Sequence, residues 1–165
     1  MIVATDVQYD EEADCACAAA VAFDDWADAE PGRSWSLDVE GLAPYEPGRF
    51  YLRELPCLLA LLDGIEADVV VVDGYVQLGD APGLGAHLFA ERGGIIVGVA
   101  KSAYRDAPAV KVLRGESERP LYVTAAGVDV ETAARWVERM HGPYRVPTLL
   151  RLADQLARRG SPGPG

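Results

Sequence analysis

Four charged residues stand where the surrounding pattern is apolar. Asp6 interrupts IVATDVQY (2–9), Asp73 closes DVVVVD (68–73) just before Gly74, and Lys101 closes GVAK (98–101). Glu54 lies inside the run that holds Phe50, Leu52, Leu55, Leu58, Leu59 and Leu62. At helical spacing it shares a face with Phe50, Leu58 and Leu61. A carboxylate on such a face loses hydration and needs an opposite charge, a metal or a proton. Three carboxylates together repel one another unless a cation neutralises them, and an all-oxygen set suits Mg²⁺ or Mn²⁺. Lys101 could then neutralise a scissile phosphate or orient an attacking water. Each residue also has a plainer use: Asp73 as a turn former, Asp6 as the partner of a buried arginine or a solvated edge residue, Glu54 as a helix cap or ion-pair partner, and Lys101 as a solvated strand end.

The elements that must position these groups follow from periodicity. Residues 2–9, Ala16–Phe23 and Ser34–Val39 read as three short strands separated by acidic turns, which predicts an antiparallel meander. Pro56 removes a backbone donor, so the helix around Glu54 is expected to start or kink there. The four consecutive valines of 69–72 predict a central strand covered on both faces. A glycine-rich connection (74–85) leads to a helix near 84–91 and a second buried strand at 95–100. Weaker strand signals lie at 110–113 and 121–124. Residues 130–140 and 148–158 read as amphipathic helices, the second entered through Pro147. The sum is an α/β fold with a mixed sheet of antiparallel and parallel portions, flanked by helices. With the first strand beside the valine strand, Asp6 and Asp73 converge at the carboxyl ends where ligands gather, and Glu54 reaches in from the covering helix.

At 165 residues the chain is expected to form one domain over 1–160, with a disordered Pro/Gly-rich tail at 161–165. No apolar stretch is long enough to span a membrane and no signal peptide is evident, so a cytoplasmic protein is expected. Cys15, Cys17 and Cys57 lack zinc-site spacing and read as core residues in a reducing compartment. His87 reads as a satisfied core histidine, His141 has no metal-like spacing, and Gly83-Leu84-Gly85 is too little for a phosphate loop. The net charge of −11 is concentrated in residues 1–48, which hold 12 acids and one base, Arg33; the remainder is balanced at 14 of each. An acidic balance counts against a nucleic-acid partner unless a basic face forms on the second part.

TDVQYD, PYEPGRFYLRELP, VVDG and VGVAK occur in the order and approximate spacing of the endonuclease V family, and ETAARWVERMHGPYRVPTLLRLADQLA is similar to its closing helices. The resemblance runs from Ile2 to about Arg158. It implies a ribonuclease H-like fold and metal-dependent cleavage of DNA or RNA near inosine, leaving 3′-hydroxyl and 5′-phosphate ends. Carried over by position, it implies that Asp6, Glu54 and Asp73 hold Mg²⁺ (or Mn²⁺) and that Lys101 assists the attack. Tyr45 would be a wedge in the PY-x-PG segment with Pro47 and Gly48. It also implies a shortened member, without the family's helical N-terminal extension and with clipped loops. Where the family continues with His-Gly, this chain has Tyr75-Val76. A late histidine of the family aligns, through Trp136, with Ala126, and Asp129 lies three residues on as a substitute or as a helix cap. The competing expectation is a catalytically silent relative that serves as a binding module.

Overall fold

The computed structural model describes residues 1–41 and 51–159. Strand β1 (Ile2–Asp10) turns into β2 (Cys15–Phe23), and β3 (Arg33–Glu40) returns beside it, giving the expected antiparallel meander. β2 is buried along its whole length by small residues, CACAAAVAF, which let helices pack closely on both faces. β3 lies at the sheet edge and alternates exposed and half-buried residues.

Helix α1 (Tyr51–Leu61) begins one turn ahead of Glu54 and carries Pro56 inside it. The carbonyl left without a donor by Pro56 is that of Leu52, close to the helix start, where the loss costs little cooperativity. The valine strand follows as β4 (Val69–Asp73). The glycine-rich connection holds a small hairpin absent from the sequence expectation, β5 (Gln77–Leu78) with β6 (Ala81–Pro82). Then come α2 (Leu84–Arg92), β7 (Ile95–Ala100), β8 (Val110–Val112), β9 (Leu121–Ala126), α3 (Val130–Arg139) and α4 (Thr148–Arg159).

Among the described residues seven strands form one sheet in the order β3-β2-β1-β4-β7-β9-β8. β1, β4 and β7 are parallel, while β9 runs antiparallel to both β7 and β8. The meander feeding a parallel centre is the ribonuclease H-like arrangement that the resemblance implies. Helices α1 and α2 cover one face, over Val3, Val70, Val72 and Ile96. Helices α3 and α4 cover the other, over Ala4, Val71, Val97 and Val99, with Trp26 stacked on Trp136 at 5.0 Å. The period of two along β1, β4 and β7 therefore sends Asp6, Asp73 and Lys101 toward the α3/α4 face. Glu54 approaches from the opposite layer. Asp73 ends its strand, so the two layers meet around its carboxyl.

Candidate active site

Ala4 pairs with Val71 in the parallel register of β1 and β4, which brings Asp6 level with Asp73 two residues further on. The Thr5 hydroxyl donates to the Val71 carbonyl at 2.8 Å and fixes this register beside Asp6. Gly74 follows with φ +135°, a conformation open to glycine, and turns the chain out of the sheet immediately after Asp73. Gly98 on β7 has no side chain where one would strike the Gly74 carbonyl and the Thr124 hydroxyl, both 2.5 Å from an added Cβ. That space lets the Val76 amide donate to Thr124 Oγ1 at 2.9 Å and seats the loop after Asp73.

Asp6, Glu54 and Asp73 line one small cleft together with Thr5, Val7 and Leu84. Its volume of about 10 Å³ is room for a single water-sized occupant. Asp6 is 7% exposed. Burial, and then the charges of Asp73 and Asp154, push its carboxyl up to about 7 against the opposing hydrogen bond from Gln8. Glu54 is also pushed up to about 7, first by burial and then by Asp73 and Asp6, while hydrogen bonding from Tyr9 pulls the other way. Asp73 is half exposed, yet surrounding protein raises its carboxyl, with Lys101 opposing. Lys101 Nζ stands 3.9 Å from Asp73 Oδ2, and its side chain is half exposed. The structure thus brings together the four charged residues singled out by the sequence.

A fifth group belongs beside them. Asp154 on α4 faces β1, and the Gln8 amide donates to Asp6 Oδ2 at 2.9 Å and to Asp154 Oδ1 at 3.1 Å, bridging the two. Burial would raise the Asp154 carboxyl, but Arg158, one turn on at 3.0 Å, and the hydrogen bond with Asp6 hold it below its ordinary value. The sequence alignment put the late group at Ala126. That position is corrected by the fold: Ala126 pairs with Ile96 near the start of β7, at the end of the sheet away from Asp73. Asp129 accepts from the Thr132 amide as the N-cap of α3 and takes no part in the site. The signal for Asp154 was its place one helical turn from Leu150, a packed residue, on an amphipathic helix.

The donor set suits a hard divalent cation: carboxylate oxygens from Asp6, Glu54, Asp73 and Asp154, with Asp6 and Glu54 in no ion pair among the described residues. Among the described residues no three His, Cys, Asp or Glu side chains are grouped closely enough to hold an ion as they stand. His87 is not the satisfied core histidine expected: its ring stacks on Tyr51 at 3.8 Å, and Nε2 has no partner among the described residues. His141 Nδ1 meets the Thr148 hydroxyl at 3.0 Å. Gly83-Leu84-Gly85 opens α2 against the Tyr75–Val76 backbone, and the three cysteines are buried free thiols. Tyr45, Pro47 and Gly48 lie outside the described residues. No helix among the described residues is long and apolar enough to cross a membrane.

Comparison with known proteins bears on this arrangement. The Endonuclease V family model matches residues 1–116. The Endonuclease V of Streptomyces avermitilis is 33% identical over 190 residues, an alignment covering 96% of this chain and 79% of that protein. The crystal structure of the Streptomyces avermitilis protein superposes with a TM-score of 0.76 at 31% identity, covering 96% of this chain and 79% of that one. Ciona intestinalis Endonuclease V, solved in complex with a 24mer DNA containing an inosine followed by a ribo-adenosine, shares the fold at a TM-score of 0.74 and 20% identity, covering 96% of this chain and 84% of its own.

Proposed function

The chain belongs to the endonuclease V family, and from that premise we propose that it is a metal-dependent endonuclease hydrolysing a phosphodiester near inosine in DNA or RNA. The observation that carries the reading is the meeting of Asp6, Glu54 and Asp73 in one ion-sized cleft at the carboxyl ends of β1 and β4. In this reading Asp6, Glu54 and Asp73 hold Mg²⁺ or Mn²⁺, and Asp154 completes the acidic set from α4. The cation would supply charge neutralisation at the phosphate and a more acidic water. Lys101, half exposed beside Asp73, takes up negative charge on the phosphate and assists the attack. Gln8 holds Asp6 and Asp154 in place. Tyr45, with Pro47 and Gly48, serves as the wedge beside the lesion. The inosine-containing DNA of the Ciona intestinalis complex supports this substrate class, and buried free thiols suit a cytoplasmic setting.

One observation favours a second reading, a silent binding module: the carboxylates are not closed into a cage among the described residues. Cleavage of end-labelled DNA and RNA oligonucleotides carrying one inosine, with Mg²⁺ or Mn²⁺, separates the two. The nuclease reading expects nicking beside the inosine that Asp73→Ala abolishes while circular dichroism shows an intact fold. Nicking that survives Asp73→Ala sinks the site assignment, and metal binding without cleavage of either substrate selects the silent module.

A further inference from the structure

A cavity of about 240 Å³ opens on the α4 side of the carboxylates and extends from Asp6, Asp73 and Asp154 to Val146 and Arg151. The next depression is lined by Tyr144, Arg145, Val146 and Arg151. Val146 and Arg151 line both, so the two depressions adjoin and together make a groove between the acidic site and Tyr144. Tyr144 is 63% exposed, more than any other large apolar or aromatic side chain described. The Arg151 guanidinium lies over its ring, 5.3 Å from the centroid. The mount beneath is firm. The Arg114 guanidinium donates to the carbonyls of Met140, Gly142, Tyr144 and Arg145. The Arg145 guanidinium is turned inward to the carbonyls of Lys101 and Pro120. With Arg114 and Arg145 committed to backbone, Arg151 and Lys101 are the exposed cations along this path.

We propose that this groove holds a single-stranded segment of nucleic acid flanking the cleaved bond, with one unpaired base stacked on the exposed ring of Tyr144 and its phosphate on Arg151. An exposed aromatic ring backed by a guanidinium is a stacking platform for any base, and the positive end of the groove matches a phosphate backbone. The proposal rests on the nuclease reading and extends it to a strand path outside the acidic cleft. Among the described residues the Tyr144 side chain holds none of the loop's hydrogen bonds; its carbonyl does, so the mount survives its replacement.

The test is fluorescence anisotropy of labelled single-stranded oligonucleotides with one inosine, in an Asp73→Asn background that leaves the strand uncut. Tyr144→Ala is expected to weaken binding by about ten-fold, as loss of one base–aromatic stack does, and Tyr144→Trp to restore it. An oligonucleotide carrying an abasic site at the stacked position should bind both forms equally, while abasic sites elsewhere leave the ten-fold gap. Arg151→Gln should lower the slope of log affinity against log salt by about 0.7, one phosphate contact on a single strand. Thermal midpoints close to those of the parent confirm that the variants are folded. Binding by the parent with no loss in Tyr144→Ala and no change of slope in Arg151→Gln overturns this path and leaves the nuclease reading standing. An absence of binding by the parent overturns both.

Discussion

Among the described residues Asp6 keeps one amide donor, from Gln8, and faces the charges of Asp73 and Asp154. In the metal-free protein its proton is therefore held more tightly than in the unfolded chain, where its value is 3.8; Glu54 is held likewise against 4.5, and both are pushed up to about 7. The sign follows from linkage. Between the unfolded values and about 7 the folded state binds protons that the unfolded chain has released, so stability falls as pH rises through this window. Asp68, held low by the amino terminus, and Asp154 act only at the acid end, below it. A ten-fold change in proton affinity is worth about 1.4 kcal/mol, so the fall from about pH 5 to about 7 should be on the order of a few kcal/mol. Thermal midpoints measured in a chelating buffer across this range should decline, and Glu54→Gln should flatten the decline. A Glu54→Gln variant with the parent's slope would show that the carboxyl is hydrated and outside the cleft. These acids were legible in the sequence because each breaks an apolar pattern. Asp154 was not, since an acid at the margin of an amphipathic helix is ordinary there and its meaning lies in the strand it faces.

At the scale of elements, the placement of Asp73 depends on how closely the loop after it crosses β7. A Cβ on Gly98 would lie 2.5 Å from both the Gly74 carbonyl and the Thr124 hydroxyl, a backbone atom and a group already bonded to the Val76 amide. Gly98→Ala should force the loop outward and cost about 1–3 kcal/mol in unfolding free energy. It should also lower cleavage more than the stability loss explains, since Gly74 adjoins Asp73. Denaturant unfolding beside the cleavage rate checks this; a fully stable Gly98→Ala protein with parental activity refutes the close crossing. The buried strands and amphipathic helices were readable because they are long enough to show their period. The hairpin of β5 and β6 was not, because two-residue strands carry no alternation. The misplaced late group has a related cause. Trp136 anchors the alignment on α3, where it stacks on Trp26, but the acid that faces Asp6 belongs to the following helix.

For the whole molecule, the acidic excess is sorted by the sheet. Asp24, Asp25 and Asp28 follow β2, whose Phe23 pairs with Ile2 at the end of β1 remote from the site. Glu11, Glu12 and Asp14 lie instead in the turn after β1, at the same end as Asp6. The exposed cations Lys101, Arg105 and Arg151 lie across that end, beyond β7 and on α4. On the nuclease reading, a nucleic acid strand approaching the cleft would be repelled from the β1–β2 turn and drawn to the α4 side. Net charge read along the sequence counted against a nucleic-acid partner because summation hides this polarity. Glu12→Lys tests it, since Glu12 is exposed and makes no ion pair among the described residues, whereas Glu11 pairs with Arg53 at 3.2 Å. Stopped-flow association with a single-stranded oligonucleotide should speed up by as much as about ten-fold at low ionic strength. The gain should vanish near about 1 M salt, where charges are screened beyond about 3 Å. A gain that persists at high salt would mean that the new lysine touches the strand, placing the bound path on the β1–β2 side rather than along α4.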